Sequence, residues 1–150
     1  MAILAAPTRI GARNSGWLIS QQIYHFNTTD GTHSYVHFKT NVSANVEKIF
    51  MMEAEGYGYG GGVNILCGWG IYTTGATSLG PGNVVSKGGY SYGCTAHSVY
   101  KSSDNYACFV ISGAMYYTGF VIHAYSGSNY TPAPISILAV NQNSNSGNYF

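Results

Sequence analysis

Charged side chains are scarce in this sequence. Asp, Glu, Lys and Arg make up 7% of its 150 residues, against roughly 25% in an average soluble domain. The formal net charge of +1 gives no electrostatic basis for binding nucleic acid or a membrane surface. A chain with so few charges and a net charge near zero favours association. We therefore expect an oligomer that buries part of this surface.

Paired cysteines are also missing. The three cysteines are Cys67, Cys94 and Cys108, an odd number with no CxxC spacing. This pattern argues against a disulfide framework and against a structural zinc site. We predict that all three are reduced, buried thiols that pack as small hydrophobic side chains.

The sequence has neither a long apolar run nor the features of a signal peptide. No segment approaches the ~18 apolar residues of a membrane-spanning helix. The opening Met-Ala-Ile-Leu-Ala-Ala-Pro is too short for a signal core, and Arg9 and Arg13 follow it rather than precede it. The sequence therefore predicts a protein made in a cytoplasm, without membrane insertion.

Glycine and aromatic residues are abundant instead, with 20 Gly and 14 Tyr. Several segments alternate apolar and polar residues with period two, and turn-forming residues separate them. No helical period of useful length appears. The pattern predicts an antiparallel β-sandwich of about eight strands, jelly-roll-like in architecture. We divide the chain into an N-terminal arm (residues 1–16), the sandwich (residues 17–140) and a polar tail (residues 141–150).

Residues 106–125 contain two apolar runs on either side of Ser112-Gly113-Ala114, which we interpret as a long antiparallel hairpin. Both faces of its second arm are largely apolar, because side chains alternate along a strand. We therefore expect the outer face to meet another copy of the chain, in a homotrimer. The interface candidates are the outward residues of this arm and two aromatic residues of the tail: Tyr117, Val121, Tyr125, Tyr149 and Phe150.

Tyrosine-rich loops give the best binding signal. Glycines space two tyrosines in residues 56–62, and a second pair of tyrosines precedes a later strand. A tyrosine ring offers apolar contact and a polar hydroxyl at low entropic cost, which suits a sugar ring or a protein surface. The candidates for receptor or glycan binding are Tyr57, Tyr59, Trp69, Tyr90 and Tyr92. A role for these side chains in a subunit interface stays open.

Catalytic patterns are weak. Glu53 and Glu55 share one strand face, at the ~6.5–7 Å spacing of residues i and i+2, and inverting glycosidases hold two carboxyl groups ~6.5–9.5 Å apart. A pair of solvated carboxylates explains the same spacing. His97, Asp104 and a serine could form a catalytic triad, but the sequence contains no nucleophile elbow such as Gly-x-Ser-x-Gly. We predict no catalytic residues, no metal site and no cofactor.

Four motifs carry a resemblance to a known family. They are Tyr35-Val-His-Phe-Lys-Thr-Asn41, Glu55-Gly-Tyr-Gly-Tyr59, Tyr100-Lys-Ser-Ser-Asp-Asn-Tyr106 and Met115-Tyr-Tyr-Thr-Gly-Phe-Val-Ile-His123. With them, residues 33–125 resemble the C-terminal β-domains of bacteriophage tail fibres, such as those of cyanophages and other marine phages. The resemblance implies a trimeric virion protein, assembled in the host cytoplasm, that binds a receptor.

That resemblance leaves the position in the virion open. The sequence starts with Met1 and has no fibre shaft, so we expect a separate tip or collar subunit that contacts other virion proteins and a host-surface glycan or protein. The alternative is a capsid decoration or adaptor protein whose arm and tail clamp neighbouring virion subunits. A glycan-cleaving enzyme is the third hypothesis.

Overall fold

In the part of the chain that the structure describes, every strand pairing is antiparallel. The computed structural model describes residues 8–11, 17–29, 31–45, 48–58, 63–73, 83–87, 95–113, 116–128 and 134–150. They form ten strands: β1 (Thr8–Gly11), β2 (Trp17–Thr28), β3 (Tyr35–Ser43), β4 (Lys48–Tyr57), β5 (Val63–Thr73), β6 (Asn83–Lys87), β7 (Thr95–Lys101), β8 (Tyr106–Ser112), β9 (Thr118–Ser128) and β10 (Ile137–Asn143). Among the described residues, no helix is long and apolar enough to cross a membrane.

The strands form two sheets that face each other. One sheet has the order β1-β2-β9-β4-β5-β6 and the other the order β10-β3-β8-β7. Their inner faces share a core in which Phe38 stacks on Phe109 at 4.9 Å between ring centroids. Trp69 of the six-stranded sheet lies 4.9 Å from the same Phe109 ring. The predicted all-β sandwich is therefore confirmed.

Alternation along the strands decides which residues enter this core. Phe50, Met52 and Ala54 of β4 are buried, whereas Met51 and Glu55 between and beyond them are exposed. This is the division that the period-two pattern predicts. The strand count differs from the expected eight because β1 lies within the predicted arm and β6 is a further strand of five residues. Neither segment is long enough to show a clear period.

The predicted hairpin of residues 106–125 is wrong. Its first arm, β8, pairs with β3 and β7, and its second arm, β9, pairs with β2 and β4. The chain therefore crosses from one sheet to the other between Ser112 and Thr118. Gly113 and Tyr117 have positive φ angles of 152° and 46°, so the backbone leaves the extended conformation on both sides of the crossing. Both arms are apolar because each supplies residues to the core from a different sheet.

The outer face of β8 is covered by the chain's own last residues. Cys108 and Val110 point away from the core and are nevertheless fully buried, in a small cluster with Tyr100 against which Phe150 packs. β10 continues to Asn143, so the predicted tail begins inside a strand. Another copy of the chain is not needed to explain the apolar outer face of β8.

Candidate functional site

The ring of Tyr57 lies across the backbone of a neighbouring strand. Tyr57 ends β4 and stands opposite Gly119 of β9. A Cβ atom added to Gly119 would lie 2.9 Å from Cε1, Cζ and the hydroxyl oxygen of Tyr57. Any larger residue at position 119 would collide with the ring. The glycine therefore creates the seat of Tyr57, whose side chain stays 51% exposed.

Gly56 brings the two strands close enough for this contact. A Cβ atom at Gly56 would lie 2.1 Å from the carbonyl oxygen of Gly119 and 2.5 Å from Cα of Phe120. No real Cβ atom tolerates either distance. The pairing of β4 with β5 also shifts register between Gly56 and Tyr57. The strand ends at Tyr57, after the close approach and the register shift, and the Tyr57 ring lies against β9.

Two further tyrosines lie at the same end of the sandwich. Tyr116 and Tyr117 precede β9 and are 43% and 49% exposed. Their rings contact edge to face, with centroids 4.5 Å apart. Tyr116 also lies against Gly31, where an added Cβ would be 3.0 Å from Cβ of Tyr116. We call Tyr57, Tyr116 and Tyr117 the tyrosine surface.

The sequence pointed to only part of this surface for binding. Tyr57 was a binding candidate, Tyr117 an interface candidate, and Tyr116 was in neither group. The signal that explains the position of Tyr57 is the register of β4 against β9, which sets Tyr57 opposite Gly119 and Gly56 opposite Phe120. The sequence alone does not supply that register.

The other predicted binding residues lie elsewhere. Trp69 is fully buried in the core, so its ring is not part of the surface of this chain. Alternation along β5 already places Trp69 on the same face as buried Cys67. Tyr59, Tyr90 and Tyr92 lie outside the described residues.

The outer face of β4 and β9 continues from the tyrosine surface. Val121 stands opposite Glu55, and Tyr125 stands opposite Met51, which is 44% exposed. The Tyr125 hydroxyl lies 3.5 Å from Oε2 of Glu53, at the limit of a hydrogen bond. Val121 and Tyr125, two of the interface candidates, thus point outward in the middle of the six-stranded sheet and are half-buried.

Tyr149 and Phe150, the other interface candidates, contact their own chain. The Tyr149 ring lies 5.9 Å from the His37 ring, and Phe150 packs against the cluster of Tyr100, Cys108 and Val110. Tyr149 is exposed, whereas Phe150 is half-buried without any neighbouring subunit.

His97 and Asp104, which were considered for a catalytic triad, contact different neighbours. Asp104 pairs with Lys39 at 2.5 Å and accepts a hydrogen bond from Ser102, which together lower the pKa of its carboxyl. His97 instead contacts the Ser98 hydroxyl and the ring of Tyr35. Glu53 and Glu55 do share the outer face of β4, as the alternation predicts. Within the part of the chain that the structure describes, no three His, Cys, Asp or Glu side chains are grouped for a metal ion.

Two of the three cysteines fit the prediction of buried, reduced thiols. Cys67 and Cys108 are buried and free of disulfide bonds. Burial raises the pKa of the Cys108 thiol to about 11, so the nucleophilic thiolate is scarce at neutral pH. Cys94 lies outside the described residues.

No family model, curated protein or solved structure matches this chain.

Proposed function

We propose that this chain is a non-enzymatic bacteriophage virion protein, a tail-fibre or tailspike-type β-domain that contacts the host cell surface. The observation that carries the proposal is the tyrosine surface. Three tyrosines are about half exposed at one end of a rigid sandwich, and Gly56 and Gly119 fix the position of the first. Tyr57 belongs to strand β4, and a side chain on a strand is held more rigidly than one on a long loop.

Tyrosines arranged in this way suit a glycan. An exposed ring face packs on the C–H face of a sugar, and the hydroxyl forms hydrogen bonds at its rim. Few rotatable bonds are lost when a tyrosine is immobilised, and Tyr57 is already held against Gly119 before binding.

A glycan array with the purified protein tests this function. We expect binding to at least one class of bacterial surface glycan, with affinity reduced at least about tenfold, or ~1.4 kcal/mol, by Tyr57→Ala. Tyr57→Phe should retain most of the affinity, because it keeps the ring. Leu138→Ala is the matched control, because Leu138 is 52% exposed on the other sheet.

Two results would contradict the glycan contact. One is the absence of binding across glycans of varied composition. The other is equal loss of affinity in the Tyr57 and Leu138 variants, which would make the tyrosine surface irrelevant to recognition.

The same proposal includes a homotrimer and a jelly-roll-like connectivity. Val121 and Tyr125 supply a half-buried, outward surface in the middle of the large sheet, which supports their role at the subunit interface. The chain alternates between the sheets from β2 to β3 to β4 and again from β8 to β9 to β10, and this alternation supports a jelly roll. The assembled protein would reside in the virion.

A decoration or adaptor role is the second candidate. Exposed Met51, Tyr57 and Tyr117 on an all-β domain with few charges also suit a protein partner in the same particle. Binding to a purified virion protein, together with a glycan array that shows no binding, would favour this role over host contact.

A further inference from the structure

Residues 144–150 cross the outer face of the four-stranded sheet as a strap. Nε2 of His37 lies 2.8 Å from the carbonyl oxygen of Asn145. The backbone N–H groups of Tyr149 and Phe150 donate to the Tyr100 hydroxyl oxygen at 3.3 and 3.4 Å. The N–H of Ser103 donates to the oxygen of Phe150 at 3.1 Å. The strap is therefore held by few bonds, and His37 and Tyr100 accept or donate most of them.

The hydrogen bonds define one protonation state of His37. A carbonyl oxygen only accepts, so Nε2 carries the hydrogen that is donated to Asn145. Nδ1 lies 3.2 Å from the Tyr100 hydroxyl oxygen, and in the neutral ring it accepts the Tyr100 proton. Tyr100 keeps that proton, because burial raises its pKa to about 12. The arrangement is complete when His37 is neutral.

We propose that residues 144–150 form an acid-released strap, which is closed while His37 is neutral and opens when Nδ1 takes up a proton. A proton on Nδ1 turns the acceptor of the Tyr100 hydroxyl into a donor. The Tyr100 oxygen would then face three N–H donors, from His37, Tyr149 and Phe150, and its own proton would be left with only the weak sulfur acceptor of Cys108. An unsatisfied buried donor costs ~1–3 kcal/mol, which is comparable to the few bonds that hold the strap.

The surroundings of His37 favour the neutral ring. Burial lowers its pKa, the hydrogen bond to Asn145 partly offsets this, His97 lowers the pKa further, and a hydrogen bond with the Asn143 side chain, the smallest of these effects, raises it. The titratable and charged side chains on the elements around it are Tyr35 and Lys39 on β3, His97 and Tyr100 on β7, Cys108 on β8 and Tyr149 in the strap. Lys39 is paired with Asp104.

The sign of the pH dependence follows from this lowered pKa. In the open state His37 is solvated and titrates near its ordinary value of ~6.5. Above that pH neither state binds the proton, and the closed strap has its full stability. As the pH falls below ~6.5 the open state takes up the proton first, so closure weakens until the lower pKa of the closed state is passed.

Opening uncovers Cys108, which gives a direct readout. Phe150 packs against the outer-face cluster that Cys108 forms with Tyr100 and Val110, whereas Cys67 lies between the sheets. Dithiodipyridine reacts with thiols at acid pH, and peptide mapping reports each cysteine separately. With rates normalised to the denatured chain at each pH, we expect Cys108 to react at least tenfold faster at pH 5 than at pH 7.5. Cys67 should stay protected throughout.

Three variants isolate the role of His37. His37→Gln keeps an N–H donor but has no group that titrates in this range, so its Cys108 reactivity should not change with pH. Tyr100→Phe removes the hydroxyl on which the strap closes, so Cys108 should react rapidly at pH 7.5. His123→Gln, a histidine change on the other sheet, should keep the wild-type profile.

Any of three outcomes would contradict the acid-released strap. Cys108 reactivity that is the same at both pH values excludes acid release. Reaction of Cys67 in parallel with Cys108 shows unfolding of the whole domain rather than opening of the strap. A pH profile that persists in His37→Gln assigns the effect to another group. If that variant does not fold, amide hydrogen exchange of residues 145–150 in the wild-type chain decides. Equal protection of these amides at pH 5 and pH 7.5, after correction for the intrinsic exchange rate, also excludes acid release of the strap.

Discussion

Replacing Gly56 with alanine should destabilise the protein more than any other single methyl addition among the glycines described. The added Cβ would lie 2.1 Å from the carbonyl oxygen of Gly119 and 2.5 Å from Cα of Phe120. Both are backbone atoms in the middle of the large sheet, so neither can rotate away. Overpacking in a core typically costs ~1–3 kcal/mol, and we expect at least the upper end of that range for Gly56→Ala. Urea denaturation measures the loss.

Gly68→Ala is the matched control for this change. Gly68 lies on the neighbouring strand β5, and its added Cβ would meet only the Met52 carbonyl oxygen, at an ordinary 3.4 Å. A strand alanine is favoured over glycine by ~0.5–1 kcal/mol. We therefore expect Gly68→Ala to leave the free energy of unfolding unchanged or slightly higher. Equal stability of the two variants would contradict the close approach of β4 and β9.

The second large effect concerns the proposed trimer. We expect light scattering of the wild-type protein to give three chain masses, and Val121→Asp to reduce this to one. Val121 points outward next to Glu55, so a new carboxylate would be buried in the interface beside an existing one. The position is half-buried in the single chain, so the fold itself should survive.

Leu138→Asp is the control for the trimer. Leu138 is more exposed than Val121 and lies on the opposite sheet, so its variant should keep three chain masses. A wild-type mass of 16.0 kDa, that of one chain, would exclude the trimer outright. A trimer that Val121→Asp leaves intact would place the interface on another surface.

Local pattern was enough to predict most strands and their buried faces. The strand face shared by Glu53 and Glu55 was predicted, and the burial of Phe50, Met52 and Ala54 on the other face of β4 follows from alternation. Such features depend only on neighbouring residues in the chain. The same alternation predicts that Trp69 points into the core. We nevertheless named it as a binding candidate because it is aromatic.

The apolar pattern of the sequence does not show which strands pair with each other. Two apolar arms around Ser112-Gly113-Ala114 fit a hairpin and a sheet crossing equally well, because both place apolar residues against the core. The tail shows the same limit. Its two terminal aromatic residues were predicted to contact another subunit, yet backbone groups of Asn145, Tyr149 and Phe150 bond to His37 and Tyr100 of the same chain, far away in the sequence. The seat of Tyr57 on Gly119 also depends on a pairing between distant segments.

The most direct test of the proposed function is the location of the protein on phage particles. Antibody raised against the purified chain and coupled to gold would be added to intact particles, purified from a lysate that contains this protein. We expect gold at the ends of the tail or its fibres, where a host-contacting domain must lie. Gold confined to the capsid surface would favour the decoration role. Intact particles without any gold would contradict a virion protein of either kind.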